Sequence, residues 1–258
     1  EELSAVVGAA WAAGFPLLVL GGGANVLVSD AGVRGLVVIN AVTTVSFNAE
    51  IVTASAGHGL SKLARKCAAA GLAGLEWAAS IPGTVGGSVV NNAGAHGGDI
   101  AGCLVSADVL DAAHGRQTLQ VDDLAYGYRT SALKAQANRR FLVLAATFRL
   151  QPGDPTASAA RIDEVVAYRK RTQPPGASLG SIFKNPPGDY AGRLIEACGL
   201  KGLTVGGAQV SPVHANFFIN RGGATASDYS ALIDQVQAAV LAATGIHLET
   251  EIERAGAW

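Results

Sequence analysis

The chain has 258 residues, 49% of them hydrophobic and only 15% charged, enough to bury a sizeable core in one or two domains. Its 19 basic and 20 acidic residues leave a net charge of -1 with no basic run, and 6% of residues are aromatic. That balance excludes an obvious nucleic-acid or anionic-membrane partner, and a broad stacking surface for single strands. Cys67, Cys103 and Cys198 are odd in number and far apart, so no disulfide framework or redox spacing is expected. His58, His96, His114, His214 and His247 show no metal-ligand spacing, and no metal is expected. No apolar run approaches the ~20 residues that span a bilayer. No signal peptide is present, so a cytoplasmic protein is expected. The chain starts at Glu1 and contains no Met, which reads as a truncated or processed form of a longer protein.

In chain order, residues 3–13 read as a helix ending at Gly14. Short strands follow at 17–20, 26–28, 37–39 and 51–54. Residues 60–70 form a clear helix, with Leu60, Leu63, Ala64 and Cys67 on one face and Gly71 just past its end. Residues 83–98 hold six glycines and little periodicity, which predicts a long functional loop. Strands are expected at 105–110, 118–121 and 141–150, the last alternating between two faces. Residues 151–155 read as a linker, and a helix over 157–171 is stopped by Gln173-Pro174-Pro175. A helix over 190–198 is capped by Gly199. After a strand at 217–219, Thr225 or Ser227 caps a helix that buries Leu232, Ile233, Val236 and Val240. A final strand is expected at 246–252. The pattern is α+β in two lobes, divided into 1–150 and 151–258.

Several segments could carry chemistry. Gly21-Gly22-Gly23-Ala24-Asn25 follows a strand, yet it fails as a Rossmann fingerprint, because Val26 stands where Gly or Ala belongs and the chain continues as strand. On its own it is equally a tight turn or a cradle of backbone N–H groups for a pyrophosphate. The glycines of 83–98 point to backbone folded closely around a ligand, against a purely structural loop. Arg129 within Tyr128-Arg129-Thr130-Ser131 is either a surface charge or a two-pronged carboxylate clamp. Ser181 in Gly180-Ser181-Ile182-Phe183-Lys184-Asn185-Pro186 is by spacing an ordinary turn serine, and no G-x-S-x-G elbow exists. Isolated, His214 reads as structural. Glu249 and Glu251 alternate to one face of the expected last strand.

Together, and in the same order, these segments resemble the UDP-N-acetylenolpyruvoylglucosamine reductase (MurB) family over nearly the whole chain. The blocks are Leu20-Gly21-Gly22-Gly23-Ala24-Asn25, residues 81–87 and 92–97, Tyr128 to Ser131, Gly180 to Pro186, Ala191 to Glu196, Gly199-Leu200-Lys201-Gly202, residues 211–220 and residues 248–252. The resemblance implies an FAD-binding region of the vanillyl-alcohol-oxidase type at 1–150. A substrate-binding α+β lobe would follow at 151–258, its last strand returning to the active site. It implies FAD held by Leu20, Gly21, Gly22, Gly23, Ala24 and Asn25, by Ile81, Pro82, Gly83, Thr84, Gly86 and Gly87, and by Asn92, Gly94, Ala95 and Gly97. It implies that NADPH reduces FAD, and that the reduced flavin then reduces the enolpyruvyl ether of UDP-N-acetylglucosamine to UDP-N-acetylmuramate.

Ser181 matches the family's proton donor, and Arg129 and Glu251 its pair that stabilises the enolate-like intermediate. Glu251 would help there only protonated or through a donor, because a second anion beside the substrate carboxylate repels. Tyr128, Lys184, Asn185 and His214 match substrate-contacting positions. Ala24 stands where the family usually has Ser, and His96 where Tyr is common. The family normally has a further stretch before Glu1, and the short connection between Pro186 and Ala191 resembles its shorter subtype. A monomer acting on a small molecule is expected. Two rivals stay open: another flavin oxidoreductase of this fold, and a non-catalytic flavin or nucleotide-sugar binding homologue.

Overall fold

A computed structural model describes residues 1–258, and internal contacts divide them into two units. One holds residues 1–23 and 35–167, and the other holds 24–34 and 168–258. No helix is long and apolar enough to cross a membrane.

The first unit is built on a five-stranded antiparallel sheet. Its order is Gly115–Gln120, Leu104–Asp111, Phe141–Arg149, Ile51–Ser55 and Val45–Asn48. Val52, Ala54, Ala107, Val109, Ala146 and Phe148 pack with Leu60, Leu63 and Cys67 of the Leu60–Ala69 helix. Strict alternation along Phe141–Arg149 breaks where Leu142 and Val143 are both buried, because a bulge shifts the register between Val143 and Ala145. Val45–Asn48 was not expected; three of its four residues are exposed, so no alternation marks it. Residues 151–155 are not a free linker, since Gln151–Pro152 pairs with Leu72–Ala73. A separate parallel pair joins Leu17–Leu20 to Leu36–Ile39.

The main departure from expectation lies in 83–98. It is not a continuous loop but the Val85–Asn91 helix followed by a tight hairpin, Gly94–Ala95 against Gly98–Asp99. Extended Thr84 opens the helix, and Asn92 ends it at φ 45°. Here glycine serves close packing rather than a turn. A methyl group on Gly86 would lie 2.8 Å from Ala56 Cβ, and the Gly86 N–H donates to the Ala56 carbonyl at 2.8 Å.

The second unit has a four-stranded antiparallel sheet ordered Ser178–Ser181, Phe217–Asn220, Ala208–Val210 and Thr204–Val205. Leu232, Ile233, Val236 and Val240 of the Ala226–Thr244 helix pack with Ile182, Phe183, Leu194 and Phe218. Thr225 caps this helix in a reciprocal box with Asp228, and Gly245 closes it at φ 72°. The strand expected at 246–252 does not form. Leu248 and Ile252 are buried and Glu249 is exposed, but the alternation reports packing, not a ladder. Only an isolated bridge joins Thr250 to Phe183, and the regular pairing starts at Glu253–Ala255, parallel to Val26–Val28.

Candidate active site

In the first unit two glycine segments meet backbone to backbone. A methyl group on Gly21 would lie 2.1 Å from Thr84 Oγ1 and 3.1 Å from Thr84 Cβ, which rotation of that side chain does not move. One on Gly22 would lie 3.2 Å from the Cα of Gly83. The turn around Gly83 is tied to residues 56–60: Leu60 N–H donates to Gly83 O, Val85 N–H to His58 O and Gly86 N–H to Ala56 O. Gly22 and Gly23 are nonetheless exposed. The result is a side-chain-free stretch of backbone, rigidly backed and open at Gly22 and Gly23, which suits a group that approaches peptide N–H groups closely.

Asn92 is buried and fully engaged. Its amide donates to Gly127 O at 3.0 Å and approaches Asp99 Oδ2 at 3.4 Å, while its side-chain oxygen accepts from Ala101 N–H at 3.0 Å. Arg129 sits at φ 56° in the turn closed between Gly127 and Thr130. Its Nη2 donates to Gly94 O at 2.6 Å, Nη1 reaches Asn92 O at 3.4 Å, and the guanidinium carbon lies 5.2 Å from the centre of the Tyr128 ring. On either side, Tyr126 Oη donates to Val89 O at 2.8 Å and Ser131 Oγ to Val90 O at 2.6 Å. Residues 126–131 thus satisfy carbonyls at the C-terminal end of the Val85–Asn91 helix, where the backbone leaves acceptors unpaired and a cation is favoured.

The second unit brings Ser181 and Glu251 onto neighbouring backbone. Ser181 pairs with Phe217 at the end of its strand. Just beyond it, Ile182 N–H donates to Asn216 O at 2.8 Å, and Glu251 N–H donates to Ile182 O at 2.8 Å. Lys184 N–H donates to Glu249 O at 2.8 Å. Asn216, 3% exposed, replaces a strand partner for Phe183: its Oδ1 accepts from Phe183 N–H at 2.9 Å and its Nδ2 donates to Phe183 O at 2.8 Å. Asn216 was not among the residues singled out from the sequence; a polar residue followed by Phe217-Phe218 was its one signal.

The remaining sequence-predicted residues fall around this core. Lys184 Nζ donates to Glu249 Oε1 at 2.5 Å, with Lys184 mostly buried and Glu249 exposed. Asn185 Oδ1 accepts from Ala191 N–H at 3.1 Å and so caps the Ala191–Ala197 helix. His214 Nδ1 accepts from Asn216 N–H at 3.2 Å, which leaves the imidazole proton on Nε2 as a donor. Burial holds the His214 imidazole below its ordinary range, with Lys201 adding to that effect and Glu196 opposing it. Gly192 lies against this ring: a methyl group there would be 3.2 Å from His214 Cε1.

Comparison with known proteins decides what these residues belong to. An FAD binding domain model matches residues 1–118, and a UDP-N-acetylenolpyruvoylglucosamine reductase C-terminal domain model matches 171–255. A reductase of that name from Synechococcus sp. is 47% identical, over 93% of this chain and 80% of its own. Another, from Rubrobacter xylanophilus, is 45% identical over 99% of this chain and 86% of its own. The chain belongs to the UDP-N-acetylenolpyruvoylglucosamine reductase family. The crystal structure of the MurB reductase from Thermus caldophilus is similar at a TM-score of 0.82 and 36% identity, covering 93% of this chain and 86% of that one. The family fold is an FAD-binding region of the vanillyl-alcohol-oxidase type followed by an α+β lobe. Close packing on Thr84 and Gly83 accounts for the glycines at 21 and 22, and exposed Gly22 and Gly23 leave backbone that a cofactor diphosphate could approach.

Proposed function

We propose that this chain carries out its family's reaction with Ser181 as proton donor, and with Arg129 and Glu251 supporting the charge that develops on the substrate. The protein is an NADPH-driven, FAD-dependent reductase that converts the enolpyruvyl ether of UDP-N-acetylglucosamine to UDP-N-acetylmuramate, a step of peptidoglycan precursor synthesis. When bound, FAD supplies the hydride relay between NADPH and the substrate's double bond.

The chain's own residues would then act as follows. Glycines 21–23, 83, 86 and 87, with Asn92, Gly94, Ala95 and Gly97, line the cofactor region, where Asn92 contributes backbone because its side chain is engaged. Arg129, charged at any working pH, would pair with the substrate carboxylate in two parallel hydrogen bonds. Hydride addition at the terminal carbon leaves carbanion character beside that carboxylate. Ser181 Oγ–H would give its proton to that carbon, while Glu251 on the adjoining segment would stabilise the enolate-like charge only as the protonated acid or through a donor it holds. Lys184, Asn185, Tyr128 and the neutral His214, donating from Nε2, would hold the nucleotide-sugar part. We assign the FAD-binding role to the first unit, with Tyr128 and Arg129 of that unit as substrate contacts, and the remaining substrate contacts to the second, in a cytoplasmic monomer. The observation that carries the assignment is the direct backbone tie between the Ser181 segment and Glu251 through Ile182.

Anaerobic half-reactions test it. NADPH should bleach the flavin in Ser181→Ala at close to the wild-type rate, while recolouring by the enolpyruvyl substrate should slow by on the order of 10²–10⁴-fold. Equal loss in both half-reactions, or no loss in either, would remove Ser181 from the proton-donor role. Recolouring by oxygen alone would point to an oxidase instead.

A further inference from the structure

The backbone of Glu251 is held on both sides, by the isolated bridge at Thr250 and by a side chain. Its N–H donates to Ile182 O at 2.8 Å. Its carbonyl accepts from the side-chain amide of Asn25, Nδ2 to O, at 3.0 Å. The carbonyl of Asn25 in turn accepts from Glu253 N–H at 2.9 Å, one residue before the parallel pairing of Val26–Val28 with Glu253–Ala255 begins. Asn25 therefore extends that pairing backwards by one residue with its side chain, at the point where the backbone ladder stops. Residues 246–252 form no strand of their own, and one isolated bridge at Thr250 is their only sheet contact. Without the Asn25 amide, the Glu251 carbonyl loses a donor that orients the 251–252 peptide plane, one of the two planes that meet at the Glu251 Cα and set where its side chain leaves the backbone.

We propose that Asn25 is a positioning residue for Glu251, acting through the amide-to-carbonyl hydrogen bond that orients the Glu251 peptide. The proposal rests on the reading of Glu251 as a residue that supports charge on the substrate. It gives the last residue of the glycine turn a task separate from cofactor contact, because its amide already points into the catalytic lobe's own segment. Displacements of about 1 Å in a reacting constellation cost on the order of 10²-fold in rate, so one orienting hydrogen bond is enough to matter.

Asn25→Leu removes the donor without adding charge, and Asn25→Asp removes it at nearly constant shape. Each is made in the wild-type chain and in Glu251→Ala, where no carboxyl remains to be positioned. FAD content, bleaching by NADPH and recolouring by the enolpyruvyl substrate are measured separately. Amide hydrogen exchange at Glu251 and Glu253 is followed as a readout independent of turnover. The expected result is faster exchange at both amides, and recolouring per FAD-loaded molecule slowed by about 10- to 100-fold, beyond any change in FAD content or bleaching. In Glu251→Ala the same substitutions should change recolouring by less than about twofold, the signature of two residues acting as one unit. Equal slowing in both backgrounds, slowing that follows FAD loss, or no slowing overturns the positioning role. A Glu251→Ala chain that recolours at the wild-type rate instead removes Glu251 itself from the chemistry, and the two failures are thereby told apart.

Discussion

His214 accepts a backbone hydrogen bond on Nδ1 and is partly buried against Phe217, whose ring centre lies 4.8 Å away at 67°. Both features favour the neutral ring, and its pKa lies below the usual 6.5. As pH falls through about 6.5, the unfolded chain takes up a proton that the folded chain resists, so folding stability falls with acidification. The loss levels off once the pH passes below the folded value. Denaturant midpoints between pH 7.5 and 5 should therefore decline in the wild type and decline less in His214→Gln. A variant with an unchanged slope would mean that His214 does not couple protonation to folding. Sequence alone ranked His214 as a structural histidine, and only its family match raised it to a substrate contact. The bond from Asn216 supplies what spacing could not: which ring nitrogen remains a donor.

Elements were legible where one side of them is apolar and a cap marks the end. The Leu60–Ala69 and Ala226–Thr244 helices, closed at Gly71 and Gly245, follow from 3.6-residue periodicity and positive-φ glycines. The Val85–Asn91 helix did not, because its Gly86 and Gly87 look like loop residues until Ala56 is seen to leave no room for a side chain at Gly86. Nor could the sequence reveal that residues 24–34 lock onto the start of the Ala226–Thr244 helix. Asp30 accepts from Ala226 N–H at 2.7 Å, Ser227 N–H at 2.9 Å and Ser227 Oγ at 2.5 Å, groups 196 and 197 residues further along the chain. These bonds, led by the Ser227 hydroxyl, hold the Asp30 carboxyl below its ordinary 3.8. Their stabilisation is present above about pH 3.8 and is lost as the pH falls below it. Asp30→Ala should lower the thermal midpoint at pH 7, and the gap from wild type should narrow towards pH 3. A gap independent of pH would assign the effect to lost packing rather than to the charge.

At the scale of the whole molecule, the α+β class was readable from element order, but not which distant segments share a unit. Residues 24–34 lie far from 168–258 in sequence yet belong with them, because the pairing of Val26–Val28 with Glu253–Ala255 is a parallel contact that no local pattern announces. The two hydrophobic cores share no residue: one runs from Val52 to Ile162, the other draws Leu27 together with residues from Ile182 to Ile252. All the proposed cofactor residues except Ala24 and Asn25 lie in the first unit, with Tyr128 and Arg129, whereas Ser181, Lys184, Asn185, His214 and Glu251 lie in the second. A ligand at a hundred times its Kd opposes opening of the structure it binds by about 2.7 kcal/mol, which slows amide exchange there by about 100-fold. Adding FAD to the apoprotein should therefore protect the Ile51–Ser55, Leu104–Asp111 and Phe141–Arg149 strands by roughly that factor at saturation. The Ala208–Val210 and Phe217–Asn220 strands should respond instead to the UDP-sugar substrate. Equal protection of both sets by FAD alone would show that the two cores open as one cooperative body, and the assignment of cofactor to one unit and substrate to the other would lose its thermodynamic basis.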